Sequence, residues 1–532
     1  MKHITSCHAK IDFKTLTLAV ILIIQLIILL IFNITRTQYI TDFDSSAAMA
    51  QAMEIAKQKT LFIKNWSYQS TLGLDSVLPI AALLYYFTQN IFISYGLANF
   101  IGTVFFLYII TSTLILLKID ITCRYLVCIF LLIPFSEGML GYAPMMFTGA
   151  AYYIIKAVYP VMLISLIIRI KEKQFRKIHI SLIILLLWFS FITGFSCHSY
   201  LLICGISPIL LWQIFINIRK LISSYVINKN TTNYNLIKEC FSSIFSKDIF
   251  LTFSAFILCL IGMYSGKMYY NYSFTNNMVL CNASNFFDNL MRMIIGHFEL
   301  FGSIAYGDIK ATSFQGITIL LHLLIMILFV ILTIKGLKIF IHNFSFLCLS
   351  DKTHNNLYNY EYYGFFIMIA LINYIILVLT YTTYGSQTYE FRYLIIPFLC
   401  EVFICALAVN QLLICDNMYV KLTNKCKSIT VILFSCIMLA VSLIEWNNYI
   451  KIDNNSDQLK HKANDLINHG YNLVLYIDND GSKQTDARII RLFSSKLNVV
   501  YTNNNHEFCG WGTSTKYFDY NIIKEYKYYI IN

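Results

Sequence analysis

Charged residues are scarce in this chain. Asp, Glu, Lys and Arg together make up 13% of its 532 residues, and the chain contains only 6 prolines. A water-soluble domain keeps about a quarter of its residues charged. The composition therefore excludes an ordinary soluble protein, and the 58% content of hydrophobic residues excludes an intrinsically disordered one.

Several short catalytic motifs are also missing. The sequence has no G-x-x-x-x-G-K-[S/T] phosphate loop, no C-x-x-C pair, no H-E-x-x-H helix and no G-x-S-x-G turn. These motifs bind nucleotide phosphates, bind zinc or present a nucleophilic serine. Their absence leaves an ATPase, a zinc enzyme and a serine hydrolase without the residues that each would need.

The 15 cysteines do not predict a disulfide framework. Most of them lie in apolar runs, among them Cys128, Cys204 and Cys400, where a thiol packs as a small hydrophobic side chain. The formal net charge of +12 does not predict a nucleic-acid partner. In a membrane protein the positions of Lys and Arg are more informative than their sum.

Long apolar segments recur along the sequence and predict an all-α polytopic membrane protein of the cell membrane. The first segment follows a basic start and has no small-residue cleavage site, which predicts a signal anchor and a cytoplasmic amino terminus. An odd number of spans then places the carboxy terminus outside. About eleven candidate spans lie at 15–32, 97–117, 125–142, 147–168, 178–195, 200–217, 249–265, 316–334, 363–381, 393–414 and 429–446.

The basic residues support this orientation. Five Lys and Arg residues at 169–177 and a pair at 219–220 fall in segments assigned to the cytoplasm, where membrane proteins are enriched in Lys and Arg. The two outer segments 33–95 and 266–315 are too long to be simple connectors, so we expect them to carry function. The first contains a short apolar stretch that predicts a helix in or dipping into the outer leaflet.

The composition divides the chain into two parts. Residues 1–446 predict a transmembrane module, and residues 447–532 are polar and charged. The second part predicts a small extracytoplasmic α/β domain with helices at 457–468 and 485–494 and strands at 471–477, 497–501 and 526–531.

Two carboxylates follow the first span, in the segment Tyr39-Ile-Thr-Asp42-Phe-Asp44-Ser-Ser. The Ala- and Met-rich stretch that continues to Lys57 predicts a surface helix capped by Ser45 or Asp44. Carboxylates just above a bilayer can take a proton from a hydroxyl group or hold a divalent cation. The alternative is one helix cap and one solvated loop residue.

The same loop continues with Trp66-Ser-Tyr68, Gly73-Leu-Asp75 and the apolar half-span that begins Leu78-Pro79. This layout resembles the first outer loop of the GT-C superfamily, the multispanning glycosyltransferases that use sugars carried on polyprenyl phosphate, including the dolichyl-phosphate-mannose mannosyltransferases. The resemblance covers the general layout of the chain and is sharpest at 34–95. The W-W-D-Y-G tract of oligosaccharyltransferases is absent.

The resemblance implies roles for several residues. An acidic pair in the first outer loop is catalytic in this superfamily, which maps onto Asp42 and Asp44, and a further acidic residue often lies in the second outer loop, which maps onto Glu137. Trp66 and Tyr68 are then expected to bind substrate. Asp42 and Asp44 are also the candidate ligands for Mg²⁺ or Mn²⁺, although two carboxylates rarely form a closed site.

A lipid-linked donor needs cations for its phosphate. Arg392 begins a span at the outer level, and its planar guanidinium suits phosphate oxygens; Lys156 lies a turn or two inside the outer end of its span. The alternatives are an interfacial anchor for Arg392 and a snorkelling side chain for Lys156. His198, in an outer loop, is a further substrate-binding candidate, whereas Glu401 is expected to be structural and to pair with His322.

The expected function is transfer of a hexose, with inversion, from a polyprenyl-phosphate donor to a hydroxyl of a glycan, lipid or protein acceptor outside the cell, for modification of envelope glycans. One carboxylate would act as the base, and the cations would stabilise the leaving phosphate. The alternatives are a transporter or flippase and a polymerase of lipid-linked glycans. A transporter would leave the first loop and the tail unused, and no paired halves are evident.

Overall fold

The chain is mostly helical. The computed structural model describes residues 12–68, 71–135, 141–149, 151–197, 199–227, 246–269, 279–305, 307–346, 358–381, 391–414, 424–478, 484–503, 508–509 and 512–531. The helices up to residue 450 are α1 Phe13–Arg36, α2 Phe43–Gln58, α3 Leu78–Thr88, α4 Ile91–Leu116, α5 Ile121–Leu131, α6 Tyr142–Met146, α7 Ile154–Lys171, α8 Ile178–Cys197, α9 Ser207–Ile227, α10 Lys247–Tyr269, α11 Phe286–Leu300, α12 Phe314–Phe346, α13 Tyr358–Leu379, α14 Ile395–Ile414 and α15 Asn424–Ile450.

Within the described residues, nine helices are long and apolar enough to cross a membrane. This finding confirms the prediction of a polytopic membrane protein. The nine are α1, α4, α8, α9 with the π-helical turn before it, α10, α12, α13, α14 and α15.

Two of the predicted spans look different in the structure. The span predicted at 125–142 is wrong as a continuous helix, because α5 ends at Leu131; Pro134 follows, and the residue before a proline is disfavoured in a helix. The span predicted at 147–168 corresponds to α7, whose residues from Ile154 to Ile168 are all buried. Helix α7 therefore lies at the centre of the bundle, and the total of eleven spans stays a prediction.

Helices α8 and α10 cross at very short range. A Cβ atom added at Gly194 would lie 2.2 Å from the carbonyl oxygen of Cys259, and one added at Gly262 would lie 2.2 Å from that of Phe191. Small residues that let two backbones touch are a common way to pack helices in membranes, where the hydrophobic effect between helices is weak. These glycines set the distance between the two helices.

The helix predicted in the apolar stretch of the first loop is confirmed as α3, and its place in a membrane leaflet stays a prediction. Pro79 lies in the first turn of α3. Backbone N–H groups in a first turn have no acceptor within the helix, so proline, which lacks this group, costs no hydrogen bond there. Leu78, Ala81 and Tyr85 face the protein, whereas Phe87 is 73% exposed. The helix therefore has one packed face and one exposed apolar face, as a helix at a membrane surface requires.

The tail forms an α/β unit, and the helices and strands predicted there are confirmed. Its four-stranded sheet has the order β6-β5-β4-β8. Strand β4 runs parallel to both of its neighbours, β5 and β8, and the edge strand β6 runs antiparallel to β5. The elements of the tail are α16 Ser456–Asn468, β4 Leu473–Asp478, α17 Gln484–Leu492, β5 Asn498–Asn503, β6 Phe508–Cys509, β7 Thr513–Ser514, α18 Tyr520–Ile523 and β8 Tyr528–Ile531. Three short strands lie outside the tail: β1 Trp66–Ser67, β2 Val279–Leu280 and β3 Thr380–Tyr381.

The tail docks on the first outer loop. Strand β1 of the loop pairs antiparallel with β7 of the tail, with Trp66 opposite Ser514. At the base of this contact, Arg36 at the end of α1 donates to the carbonyl oxygens of Ile450 and Ile452 at 2.7 and 2.9 Å. The first loop and the tail therefore lie on the same side of the helix bundle.

Candidate functional site

The first site residue, Asp42, is the N-cap of α2. Its Oδ1 atom accepts hydrogen bonds from the backbone N–H of Ser45 at 2.7 Å and from the Ser45 hydroxyl, and the Ser45 Oγ accepts from the backbone N–H of Asp42 at 2.8 Å. This is a capping box. The expectation that Ser45 or Asp44 would be the capping residue is wrong, because the chain enters the helix two or three residues earlier.

The cap leaves one oxygen of Asp42 available. Both hydrogen bonds from Ser45 fall on Oδ1 and leave Oδ2 to other groups. The backbone N–H groups of Asp42 and Asp44 also interact with this carboxyl. Burial raises the pKa of the Asp42 carboxyl, while the hydrogen bonds from Ser45 oppose the shift. A carboxylate with a raised pKa is a stronger proton acceptor than an exposed one, which suits a general base.

Asp44 is the second residue of α2, and two other parts of the chain approach this first turn. Tyr152, from the segment before α7, donates its hydroxyl to the Asp44 carbonyl oxygen at 2.8 Å. From the tail, the guanidinium of Arg488 stacks on the ring of the adjacent Phe43 at 3.9 Å. Burial lowers the pKa of Arg488, and the negative charge of Asp44 opposes that shift. Asp44 therefore lies within electrostatic range of a cation that comes from the tail.

Arg488 was not predicted from the sequence. It is 2% exposed and lies on α17, one turn before Arg491. Two arginines three residues apart on a short helix otherwise rich in buried apolar residues are unusual, since Arg is rarely buried without a partner. That pattern marks Arg488 as a residue of interest, but the sequence gives no indication that its partner is in the first loop.

A buried ion pair lies on α7. The ammonium of Lys156 is 3.5 Å from Oδ2 of Asp75, and the side chains are 8% and 0% exposed. Ser196, near the end of α8, donates to Oδ1 of Asp75 at 3.0 Å. The predicted phosphate ligand Lys156 is therefore held by a carboxylate to which sequence analysis gave no role, although the Gly73-Leu-Asp75 triplet was part of the resemblance.

Tyr95 of α4 connects this ion pair with the start of α2. Its buried hydroxyl group hydrogen-bonds with Ser76, the neighbour of Asp75, and lies within electrostatic range of Asp42. Asn33 and Asn99 donate to the carbonyl oxygens of Phe147 and Gly149 at 3.0 Å each, which fixes the segment before α7. The result is a continuous polar region at the ends of α1, α4, α7 and α8.

Arg392 lies in another part of the molecule. It belongs to a 3₁₀ turn, Phe391–Leu394, that packs against α11, and its guanidinium is 5.2 Å from the ring centre of Tyr393. Tyr393 and Leu394 share a small apolar cluster with Met293 of α11. The structure thus groups Lys156 with Asp75 and Arg392 with α11, and a common role in phosphate binding stays a prediction.

The aromatic pair Trp66 and Tyr68 makes contacts within the protein. Trp66 lies under the guanidinium of Arg491 at 4.8 Å, and Tyr68 exchanges hydrogen bonds with the backbone of Ile63 at 3.0 and 3.1 Å. These contacts stabilise the loop and its junction with the tail; substrate binding by the two rings stays a prediction. The candidates Glu137 and His198 lie outside the described residues.

The predicted pairing of Glu401 with His322 is wrong. Glu401 accepts a hydrogen bond from Tyr374 at 2.5 Å and lies 3.9 Å from Nε2 of His297. His322 instead lies 3.5 Å from Glu445, and both of those side chains are buried. Neighbouring helices supply the partners as expected, but hydropathy does not reveal which faces meet.

The described residues do not complete a metal site around the acidic pair. Within them, no group of three or more His, Cys, Asp or Glu side chains is placed to hold a metal ion. Asp42 is engaged by Ser45, and Asp44 lies within electrostatic range of Arg488. Among the described residues, the expected Mg²⁺ or Mn²⁺ site therefore has no third ligand.

The sequence matches no protein-family model and no curated protein. The resemblance to the GT-C superfamily therefore rests on the layout of the first loop and of the spans.

Proposed function

We propose that the chain is an integral membrane glycosyltransferase that moves a sugar from a polyprenyl-phosphate carrier to an acceptor hydroxyl on the side of the membrane where the first loop and tail lie. The observation that supports this proposal best is the state of Asp42. Its carboxyl group has a raised pKa, an Oδ2 atom that the Ser45 hydrogen bonds do not engage, and a fixed position just beyond the end of α1. These are the properties that a general base for a hydroxyl group needs.

The proposed reaction is a single displacement. Oδ2 of Asp42 takes the proton of the acceptor hydroxyl, whose oxygen attacks the anomeric carbon of the donor. The bond from that carbon to the phosphate oxygen breaks, and polyprenyl phosphate leaves with the electron pair. Because one bond forms as the other breaks on the opposite face, the configuration at carbon inverts.

Charge at the site supports this sequence of events. Arg488 lies within electrostatic range of Asp44 beside the base, and Tyr152 fixes the carbonyl group of Asp44. A cation near the leaving phosphate would stabilise its growing charge. Lys156 can take that role if the phosphate replaces Asp75 as its partner, since the pair is 3.5 Å apart and Asp75 retains a hydrogen bond from Ser196.

The test is sugar transfer by Asp42→Asn. The full-length protein in liposomes is given polyprenyl-phosphate hexoses, and release of polyprenyl phosphate is measured. Loss of a general base typically lowers the rate by about a hundredfold or more, whereas Asn preserves the cap. Asp465→Asn, an exposed position on α16, is the matched control and should keep full activity. Equal rates in both variants would remove Asp42 from the reaction.

A transporter of lipid-linked glycans is the second candidate. It is favoured by the acid–histidine pairs inside the bundle, Glu401 with His297 and Glu445 with His322, because ionisable residues inside a membrane often mark a transport route. The same liposomes distinguish the two functions. A transporter moves the intact donor across the membrane without releasing polyprenyl phosphate.

A further inference from the structure

A cavity of about 350 Å³ lies between the first loop and the tail, at the opposite end of α2 from the acidic pair. It is bounded by the last turns of α2, the end of α3 and the tail segment 491–498. Glu54 on its wall lies ten residues after Asp44 in the same helix, which corresponds to about 15 Å along the axis. The cavity is therefore separate from the site described above.

The wall of this cavity is positively charged. Lys57 and Lys59 line it, together with Arg491 from the tail. Among the described lining residues Glu54 is the one carboxylate, and it lies 3.8 Å from Arg491, so the two charges offset each other. The two lysines remain as excess positive charge, which favours an anionic ligand.

Neutral polar groups on the same wall complete the chemistry of an anion site. Gln89 and Asn498 line the wall, and the amide of Gln89 donates one hydrogen bond to the carbonyl oxygen of Tyr86 at 3.0 Å; Tyr85 and Ser495 meet here at the junction of α3 and the tail. The ammonium of Lys59 lies 5.7 Å from the ring centre of Tyr86. Ammonium and amide N–H groups are the donors that phosphate oxygens accept from.

The position of the cavity relates it to the membrane surface. Gln89 ends α3 two residues before Ile91, the first residue of the membrane-crossing helix α4. Next to it, α3 exposes Leu83, Tyr86 and Phe87, with relative exposures of 62%, 49% and 73%. A basic polar cavity thus continues into an apolar helix face at the level where a membrane span begins. This arrangement matches a ligand with an anionic head and a hydrocarbon tail.

We propose that the cavity binds the phosphate-bearing headgroup of an anionic lipid whose chain lies along the exposed face of α3. Lys57 and Lys59 would contact the phosphate, and Leu83 and Phe87 the chain. The required chemistry is a phosphate ester on a hydrocarbon, which a bulk anionic phospholipid or a polyprenyl phosphate can supply. This site does not depend on the proposed transferase activity.

The test is lipid binding by the purified full-length protein in detergent, followed by native mass spectrometry. The probes are dioctanoyl phosphatidylglycerol, citronellyl phosphate and, as the zwitterionic comparison, dioctanoyl phosphatidylcholine. The double variant Lys57→Gln/Lys59→Gln should bind the anionic probes roughly tenfold to thirtyfold more weakly. The matched control Lys460→Gln/Lys524→Gln removes two exposed tail lysines and should bind like the natural protein.

The outcomes separate the sources of the ligand. Binding of both anionic probes supports the shared chemistry; citronellyl phosphate alone assigns the site to the carrier lipid, and phosphatidylglycerol alone to the bulk membrane. Equal binding of phosphatidylcholine, an equal loss in both double variants, or displacement by millimolar inorganic phosphate would overturn the proposal. If the double variant does not fold, each single Lys→Gln variant is measured in its place.

Two further variants make the test specific. Phe87→Ser should weaken binding of the lipid probes, because it removes apolar contact with the chain and leaves the lysines intact; unchanged binding would contradict the assignment of α3. Asp42→Asn should bind both probes normally. Loss of transfer with intact lipid binding, or the reverse, shows which of the two proposals has failed.

Discussion

At the scale of single residues, Asp42 combines a structural and a chemical role in one carboxyl group. Its Oδ1 caps α2, and the hydrogen bonds of the cap do not engage its Oδ2. The sequence shows an acidic triplet and a helix start but does not assign the cap, since Asp44 and Ser45 fit the preference equally well. The three-dimensional path of the chain between α1 and α2 decides between them.

The raised pKa of Asp42 predicts an effect on stability. Burial makes the folded state bind the proton of this carboxyl more tightly than the unfolded state does, so its contribution is greatest at low pH and is lost as pH rises through the folded pKa. At neutral pH the charged form opposes folding. Asp42→Asn is therefore expected to leave the Tm unchanged or to raise it at pH 7. A fall of several degrees would mean that the carboxylate charge stabilises the fold.

Arg488 predicts that the tail takes part in the reaction. Arg488→Ala removes the cation near Asp44. This variant should lower kcat at least about tenfold, because a carboxylate that loses a neighbouring positive charge disturbs the residues around it. Arg491→Ala is the matched control, because it contacts Glu54 and Trp66 in the same interface. It should loosen the tail, measured by limited proteolysis, and leave kcat nearly unchanged. Equal losses of kcat in the two variants would assign Arg488 to docking alone.

At the scale of elements, hydropathy predicts which segments are helices but not how each is used. Helix α7 carries Lys156 and Lys171, yet its residues from Ile154 to Ile168 are all buried. Lys156 meets Asp75 near one end, and Lys171 lies 3.5 Å from Asp248 at the other. The predicted span at 125–142 ends early because Pro134 follows α5. Averages over a window detect neither these partners nor this proline.

The crossing of α8 and α10 gives a prediction about packing. Gly194→Ala or Gly262→Ala would push a methyl group into a backbone carbonyl 2.2 Å away, and overpacking of this kind costs about 1–3 kcal/mol. The Tm of the purified protein should fall in both variants. Gly205→Ala is the control, because its new Cβ would meet the movable side chain of Leu201 at 3.1 Å. An equal fall in Tm in all three variants would mean that the loss of stability comes from replacing a helical glycine and not from the close crossing of α8 and α10.

At the scale of the whole molecule, the sequence predicts the two parts and the secondary structure of the tail but not their contact. Alternating apolar residues are enough to predict β4 and β5. The contacts that join the parts, such as Arg488 with the ring of Phe43 and Arg491 with Glu54, link segments from opposite ends of the chain. The pattern of residues within one segment does not show which residues of a distant segment lie against it. These partners are therefore visible only in the folded structure.

The docked tail predicts a specific cross-link. In the antiparallel pair of β1 and β7, Ser67 stands opposite Thr513, and directly opposed residues in such a pair are close enough for a disulfide. Ser67→Cys/Thr513→Cys should form a bond that keeps the two ends of the chain together after protease cleavage between α15 and α16, as measured on non-reducing gels. Ser67→Cys/Lys524→Cys should not form it.

Because a disulfide requires both residues on one side of the membrane, its formation also requires an even number of crossings between α1 and the tail. Failure of the first pair to cross-link in intact membranes, with both variants folded, would contradict the docking and with it the role of Arg488 beside Asp44.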